Sequence, residues 1–149
     1  MAVVMTFGTF DLFHQGHISY LKQARKYIED ESGKKEKEIR QDNNRENKLI
    51  VVIARDENVK KIKGFLPKDN EEKRKHAVEN AGIADIVILG NNDNMFKVLD
   101  EYKPSILCLG YDQSSQKVEE YIKEHELNIK IIRMHSFYPE TFKSSKFRV

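Results

Sequence analysis

The sequence is short of the features that mark secreted, membrane-spanning or nucleic-acid-binding proteins. Cys108 is the only cysteine among 149 residues, so no intrachain disulfide can form and a reducing, cytoplasmic location is expected. No apolar run approaches the roughly 20 residues that span a bilayer, and the N-terminus lacks the basic start and apolar stretch of a secretory signal. The formal net charge is only +2, too small for an overall field that attracts nucleic acid or an acidic membrane.

The composition fits one folded domain that carries a charged insertion. Apolar residues make up 39% of the sequence and charged residues 34%, which suits a polar globular domain with its own core. Residues 30–47 change character, because Ile39 is the only strongly apolar side chain among them. Such a segment buries too little apolar surface to offset its ordering entropy. We therefore predict one domain over 1–149 with a mobile surface insertion at 30–47; a functional lid is the alternative.

Short apolar runs alternate with segments of helical periodicity along the rest of the chain. The runs predict strands at Val3–Met5, Leu49–Ile53, Ile86–Leu89, Ser105–Leu109 and Ile129–Ile132. Apolar spacing and capping patterns predict helices at His17–Glu29, Asn58–Lys63, from Asp69 toward Gly82, from Asn92 or Asp93 through Tyr102, at Ser115–Glu126, and a last short helix at 141–146. This alternation predicts a Rossmann-like α/β fold with a doubly wound, parallel, five-stranded sheet. Cys108, in the fourth run, is expected to be buried and apolar in character rather than a reactive thiol.

The strongest functional signal lies in the loop after the first strand. Ligands of parallel sheets bind at the carboxyl ends of the strands, which brings together the loops Phe7–His17, Arg55–Lys63, Gly90–Asn94 and Gly110–Gln113. His14 precedes a helix and His17 lies at its start, with Gly16 between them to let the backbone approach a ligand. A helix N-terminus binds anions, and two imidazoles add donors near neutral pH. The pattern predicts a phosphate site; two histidines that only cap the helix are the alternative.

The segments Gly8-Thr9-Phe10-Asp11 and His14-Gln15-Gly16-His17, directly after the first strand, resemble the cytidylyltransferase-like nucleotidylyltransferase family. Members of that family transfer a nucleoside monophosphate from a triphosphate to a phosphate-bearing acceptor and release pyrophosphate. The resemblance implies that His14 and His17 contact the triphosphate and stabilise the transition state. It also implies that Thr9 and Phe10 supply backbone contacts near the α-phosphate.

The C-terminal segment is similar to a second signature of the family. Phe142-Lys143-Ser144-Ser145-Lys146-Phe147 resembles the family's serine/threonine-rich turn, which ends in lysine and starts a helix. The resemblance implies that Ser144 and Ser145 meet the β- and γ-phosphates, as donors at an anion-binding helix start can. It also implies that Arg133 binds phosphates. Without the resemblance, the serines are a polar tail with a helix cap, and Arg133 is an ordinary surface residue.

Lysines follow the second strand, where the family places a lysine that acts in catalysis or binds the acceptor phosphate. Lys63 matches that lysine best and Lys60 second; a solvated charged face is the alternative. The resemblance thus implies that Lys63 joins the two histidines as a catalytic residue. The implied acceptor site consists of Asp11, Lys22, Lys60, Lys63 and Arg74. Arg74 could instead hold a loop.

The middle of the chain narrows the resemblance to one kind of enzyme. The segments Arg55–Gly64, Asp93–Lys97 and Leu109–Gln113 look most like archaeal-type FAD synthases, which transfer AMP from ATP to FMN. The resemblance implies that Gly110 and Asp112 lie near the base and ribose. One alternative is a cytidylyltransferase that joins CTP to glycerol 3-phosphate or a similar alcohol phosphate; another is a nucleotide-binding module without turnover. The missing arginine in Gly82-Ile83-Ala84-Asp85, where cytidylyl enzymes usually carry Arg-Tyr-Val-Asp, weighs against the first alternative.

The same resemblance implies a divalent cation and a second copy of the chain. Mg²⁺ or another divalent cation is expected to enter with ATP and to bridge phosphates through waters and substrate oxygens, with no protein residue assigned to the metal. ATP and FMN are the expected small-molecule partners, without nucleic acid or membrane. The family likeness implies a homodimer.

Overall fold

Five parallel strands joined by helices form the central sheet of the protein. The computed structural model describes residues 3–32, 48–110 and 115–134. The strands are β1 (Val3–Gly8), β2 (Lys48–Ile53), β3 (Ile86–Leu89), β4 (Ile106–Leu109) and β5 (Lys130–Arg133). The helices in these ranges are α1 (Gln15–Ser32), α2 (Asp56–Lys63), α3 (Glu71–Asn80), α4 (Lys97–Tyr102) and α5 (Gln116–Glu124). None of the described helices combines the length and the apolar composition that a membrane crossing needs.

The order of the strands places a ligand cleft at the middle of the sheet. The order is β3-β2-β1-β4-β5, and every neighbouring pair is parallel. Met5 of β1 lies beside Ile50 of β2 on one side and Leu107 of β4 on the other. The chain therefore extends the sheet from β1 first through β2 and β3, then through β4 and β5 on the other side. Sheets of this kind bind ligands at the carboxyl end of the point where the direction reverses, here between β1 and β4. The predicted Rossmann-like, doubly wound sheet is confirmed.

Helices cover both faces of the sheet and bury its strands. Leu21 of α1 packs with one cluster of buried side chains and Leu99 of α4 with the other. The neighbouring strand residues Val4 and Met5 belong to opposite clusters, and both are fully buried. Strands that are covered on both faces need apolar side chains at successive positions. This is why each strand is visible in the sequence as a continuous apolar run.

An ion pair with a buried arginine fixes α1 at the amino end of the sheet. Nη1 of Arg25 donates to Oδ2 of Asp85 at 2.7 Å and to the Ile83 carbonyl at 2.9 Å. The same carboxylate oxygen accepts a bond of 2.8 Å from the backbone N–H of Leu49. These bonds join the helix after β1 to the start of β2 and to the turn before β3. They lie at the opposite end of the sheet from the carboxyl-end loops, which leaves those loops to form a site.

The start of α4 differs from the prediction. The helix begins at Lys97 rather than after a cap at Asn92 or Asp93. Oδ1 of Asn94 accepts from the Phe96 N–H at 2.9 Å, and the Asn94 carbonyl accepts from the Lys97 N–H at 3.1 Å. These two bonds form a turn ahead of the helix that is closed by Asn94, and α4 starts only after this turn.

The remaining predictions agree with the described residues to within a few positions. Cys108 is fully buried, and burial raises the pKa of its thiol to about 12, as expected of an unreactive cysteine. Gly82 follows the end of α3 with a φ of 71°, in the left-handed region that favours glycine. α1 continues to Ser32, so residues 30–32 of the predicted insertion are helical. The rest of that insertion and the predicted helix at 141–146 lie outside the described residues.

Candidate active site

The loop between β1 and α1 has a strained backbone that depends on a glycine. Phe10 and Leu12 have positive φ angles of 55° and 50°, which side-chain-bearing residues seldom adopt and which concentrate at functional sites. The ring of Phe10 folds back over Gly8, where a Cβ would lie 2.4 Å from the ring. Gly8 is therefore required because the Phe10 ring occupies the space of any side chain at that position.

The two histidines of this loop stack on each other in a single tautomer. Their ring centroids are 3.9 Å apart and the ring planes meet at 26°. The backbone N–H of Gly16 donates to Nδ1 of His14 at 3.0 Å, and the backbone N–H of His14 donates to Nδ1 of His17 at 3.2 Å. An Nδ1 atom that accepts a hydrogen bond carries no proton, so a neutral ring has its proton on Nε2. Each imidazole therefore offers an Nε2–H donor.

Both histidines stay neutral in the protein without ligands. Burial lowers the pKa of His14 below its ordinary value of 6.5. Burial lowers the pKa of His17 to about 3, helped by His14 and Lys63 and opposed by Asp11. Phe13 stacks against the His17 ring at 5.4 Å, and Phe10 meets it edge-on at 5.4 Å, which accounts for the apolar surroundings. Near neutral pH the pair therefore acts as hydrogen-bond donors without net charge.

The start of α1 adds the partial positive charge of a helix N-terminus to the histidine pair. The His14 carbonyl accepts from the backbone N–H groups of His17 and Ile18 at 3.0 and 3.2 Å and so begins the helix. The first turn contains no acidic side chain. An 18-residue helix carries a partial positive charge at this end. The histidine pair thus lies where a phosphate group is stabilised.

Arg74 holds the loops of the site together from the buried interior of the protein. The side chain is fully buried, and four of its five N–H groups donate hydrogen bonds to the protein. Nη1 donates to the carbonyls of Thr9 and Ala54 at 2.8 Å each, Nε donates to the Asp69 carbonyl at 3.0 Å, and Nη2 pairs with the Asp56 carboxylate at 2.6 Å. The prediction that Arg74 binds the acceptor is corrected, because its guanidinium faces these groups and has no exposed surface. Arg74 positions the loops after β1 and β2.

Asp11 has a similar positioning role. Its side chain is buried, and its two oxygens accept bonds of 2.9 Å from the backbone N–H groups of Lys68 and Asp69. These bonds fix the loop that follows α2 to the histidine loop. Asp11 was expected in the acceptor site; the structure places its carboxylate on the backbone of residues 68–69 instead.

A reciprocal cap that was not predicted from the sequence joins the starts of α2 and α3. Oε1 of Glu71 accepts from the Asp56 N–H at 2.9 Å, and Oδ2 of Asp56 accepts from the Glu71 N–H at 3.3 Å. Nη1 of Arg55 donates a hydrogen bond to Oε2 of Glu71 at 3.0 Å, and Nε of Arg55 donates one to the Gly90 carbonyl at 2.8 Å. The sequence feature that could have indicated this cap is the presence of acidic residues in the first turn of both helices. The cap joins the loops after β2 and β3.

The basic last turn of α2 reaches the histidine pair electrostatically through Lys63. Lys60, Lys61 and Lys63 form the basic last turn of the helix, and all three are exposed. The charge of Lys63 contributes to lowering the pKa of His17, which places its ammonium within electrostatic reach of that ring. Lys22, also exposed, lies on α1 five residues beyond His17, about 7.5 Å farther along the helix axis.

The other wall of the cleft begins at the carboxyl ends of β4 and β5. Nη1 of Arg133 donates to the carbonyl of Gly110 at 2.8 Å, and Gly110 is buried. The structure thus brings Arg133 to the carboxyl end of β4, one of the two strands that border the reversal point of the sheet. Asp112, Ser144 and Ser145 lie outside the described residues.

A divalent cation fits this site only as a companion of the nucleotide. Within residues 3–32, 48–110 and 115–134, no three histidine, cysteine or acidic side chains are grouped so that they could hold a metal ion. The Asp11 carboxylate, close in sequence to the histidines, already accepts two backbone N–H bonds. Phosphate oxygens and water would therefore supply the ligands of Mg²⁺, as this ion commonly requires.

The fold and the histidine loop define a nucleotidyltransferase of the Rossmann-like α/β class. The sequence model of the cytidylyltransferase-like family matches residues 5–149, and the chain belongs to that family. The expected family membership is confirmed.

Similar proteins include curated enzymes and a solved structure. A FAD synthase of Aciduliprofundum boonei is 33% identical over 92% of this chain and 80% of its own length. A FAD synthase of Archaeoglobus fulgidus is 35% identical over 87% of this chain and 82% of its own. The crystal structure of the lipopolysaccharide core biosynthesis protein from Thermoplasma volcanium has a TM-score of 0.73 and 31% identity, and the match covers 92% of this chain and 98% of that one.

Proposed function

We propose that the protein transfers the adenylyl group of ATP to FMN and so forms FAD and pyrophosphate. The FAD synthase relatives support these substrates, since the two described above align over 87–92% of the chain. The observation that carries the proposal is the histidine pair. Backbone N–H groups donate to both Nδ1 atoms, which places the proton of each neutral imidazole on Nε2 at the N-terminus of α1.

The reaction is an in-line displacement at the α-phosphorus of ATP. A terminal phosphate oxygen of FMN forms the new bond to phosphorus, while the bond from that phosphorus to the oxygen bridging to the β-phosphate breaks. The electron pair of the broken bond leaves with pyrophosphate. The attacking oxygen is already anionic, so no covalent enzyme intermediate is needed, and catalysis rests on positioning and charge stabilisation.

The histidines meet the charge that develops during this displacement. Nε2–H groups of His14 and His17 donate to oxygens of the transferring phosphate and the leaving pyrophosphate, and the start of α1 adds its partial positive charge. Lys63 supplies a full positive charge on the same side of the cleft, which its effect on the pKa of His17 supports. Lys60 and Lys63 hold the phosphate of FMN, with Lys22 at the edge of the site.

The remaining contacts of the nucleotide belong to the same proposal. Thr9 and Phe10 use backbone groups near the α-phosphate, and Gly110 and Asp112 lie by the base and ribose. The other phosphate contacts in the proposal are Arg133, Ser144 and Ser145. A Mg²⁺ ion that accompanies ATP would be held by phosphate oxygens and water, without the described side chains, and would neutralise phosphate charge. A homodimer and a cytoplasmic location complete the proposal.

A substrate matrix tests this function. The purified protein is mixed with ATP or CTP, and with FMN or glycerol 3-phosphate, in the presence of Mg²⁺. Pyrophosphate release is then measured together with the dinucleotide product. We expect release and FAD only with ATP and FMN. Release only with CTP and glycerol 3-phosphate would make the protein a cytidylyltransferase, and nucleotide binding without release would make it a non-catalytic module.

A further inference from the structure

Three large apolar side chains are exposed together beside the lysines of α2. Ile62 is 71% exposed, Phe65 46% and Leu66 56%, and they lie within five residues of the chain. We call these three side chains the apolar patch. Large apolar side chains that are exposed as a group, rather than singly, mark surfaces that bind something.

The backbone that carries the apolar patch is fixed at both ends. Gly64 closes α2 with a φ of 86°, and its N–H donates to the Lys60 carbonyl at 2.8 Å. Two residues after Leu66, the backbone N–H groups of Lys68 and Asp69 donate to the buried carboxylate of Asp11. The carboxylate of Asp11, which belongs to the histidine loop, therefore holds the backbone next to the patch at a defined place.

The apolar patch is close in sequence to residues that are tied to the histidine loop, namely Lys63 through its charge and residues 68–69 through Asp11. Ile62 is the immediate neighbour of Lys63, whose charge acts on His17. Lys60, Lys61 and Lys63 flank Ile62 in the last turn of α2, and Lys68 follows Leu66 by two residues in the loop. A ligand that suits this surface has an anionic end for the lysines and the histidines and an apolar, planar body for the patch.

We propose that the apolar patch binds the isoalloxazine ring of FMN and makes the enzyme selective for a flavin acceptor. This inference rests on the proposed function, since it concerns the acceptor of that reaction. FMN has both required parts: a phosphate that must reach the α-phosphorus near His17, and an aromatic ring joined to it by a short ribityl chain. Phe65 meets the face or edge of that ring, and Ile62 and Leu66 exclude water from it.

A second copy of the chain is a poorer occupant of the apolar patch. A twofold contact places the same surface of both subunits together. Here it would bring Lys60, Lys61, Lys63 and Lys68 toward their own copies, and like charges facing each other oppose association. An anionic ligand with an apolar body has the complementary charge instead.

Equilibrium binding without turnover tests the proposal. FMN fluorescence is titrated with protein in the presence of Mg²⁺ and α,β-methylene-ATP, whose α-phosphorus cannot lose pyrophosphate. Ribitol 5-phosphate, which is FMN without its ring system, is titrated by calorimetry under the same conditions. We expect the double variant Phe65→Ser/Leu66→Ser to raise the Kd of FMN by about 10- to 100-fold, as loss of apolar contact does. The Kd of ribitol 5-phosphate should change less than about twofold, because the lysines remain.

Control variants separate this result from a general loss of structure. Tyr102→Ser removes another exposed large side chain, on α4, and should leave both Kd values unchanged. The conservative variant Phe65→Tyr/Leu66→Met should keep FMN binding. An equal rise in both Kd values would indicate a damaged loop and overturn the proposal, as would an unchanged Kd of FMN.

The remaining outcomes distinguish this inference from the proposed function. Dissociation of a dimer by the double variant, seen by sedimentation velocity with FMN binding intact, would assign the apolar patch to a subunit contact and overturn the inference. Selective loss of FMN binding in a protein that forms no FAD from ATP would support the inference and reject the proposed function. Failure of the unaltered protein to bind FMN would reject both.

Discussion

Replacement of Arg74 by methionine tests whether this residue positions the loops or binds the acceptor. Methionine keeps much of the side-chain volume but removes every N–H donor. The carbonyls of Thr9, Ala54 and Asp69 each lose a hydrogen bond, and the Asp56 carboxylate loses its partner. Because Arg74 is fully buried, water has little access to replace these bonds.

The structure sets the size of the expected loss of stability. Removing one partner of a buried ion pair costs about 3–5 kcal/mol, because a charge is left without compensation. Asp56 keeps 26% of its side-chain surface exposed, so solvation of its carboxylate moderates that part of the cost. The three carbonyls add to the cost, each by about 1–3 kcal/mol if it stays unsatisfied. We expect a loss of at least about 3–5 kcal/mol, a large part of the 5–15 kcal/mol typical of a folded domain.

Urea unfolding at pH 7.5 measures this loss, with two variants for comparison. Arg74→Lys keeps the charge and three donors and should lose less than Arg74→Met. Lys73→Met removes the neighbouring cation, whose exposed pair with Asp69 spans 3.2 Å, and should lose less than about 1 kcal/mol. An Arg74→Met protein with unchanged stability and a raised KM for FMN alone would refute the positioning role and return Arg74 to the acceptor site.

Three further predictions concern the loop that carries the histidines. Gly8→Ala should lose about 1–3 kcal/mol in urea unfolding, because the new Cβ must displace the Phe10 ring; an unchanged midpoint would contradict this. Asp11→Asn leaves one backbone N–H of residues 68–69 unpaired, so stability should fall and the KM of FMN should rise more than that of ATP. The pKa of His17 falls from 6.5 to about 3 on folding, so the unfolded chain takes up a proton between these values and stability decreases as the pH falls below 6.5. Between pH 7.5 and 5 the free energy of unfolding should fall by at most about 2 kcal/mol because of His17. The difference between the free energies measured by urea unfolding at the two pH values should be smaller by this amount in the His17→Gln variant.

The sheet could be predicted from the sequence because its physical cause is local. Runs such as Leu49–Ile53 are apolar at every position, since helices cover both faces, and glycines such as Gly90 follow the strands. The order of the strands, β3-β2-β1-β4-β5, was not predicted, because the rule for crossovers fixes their handedness but not which strands are neighbours. The histidine loop was also accessible, because glycine, a helix start and two imidazoles lie within ten residues.

The framework beneath the site could not be predicted, because it depends on where long side chains run after folding. Arg74 was visible as a cation at a helix start, but its spacing in the sequence does not show that it turns inward to Thr9 and Ala54. The reciprocal cap of Asp56 and Glu71 joins residues 15 positions apart, and it exists only once α2 and α3 meet. The exposed side chains of the apolar patch likewise look, in sequence, like ordinary core residues.

The turnover of His17→Ala, compared with His76→Ala, tests the central claim most directly. His76 is an exposed histidine on α3, so its variant controls for the loss of an imidazole elsewhere on the protein. If His17 stabilises the charge that develops at the α-phosphorus, kcat for FAD formation from ATP and FMN should fall by about 10²–10³ in the first variant. It should stay near the unaltered value in the second. A folded His17→Ala protein, verified by circular dichroism and urea unfolding, with unchanged kcat would contradict the account.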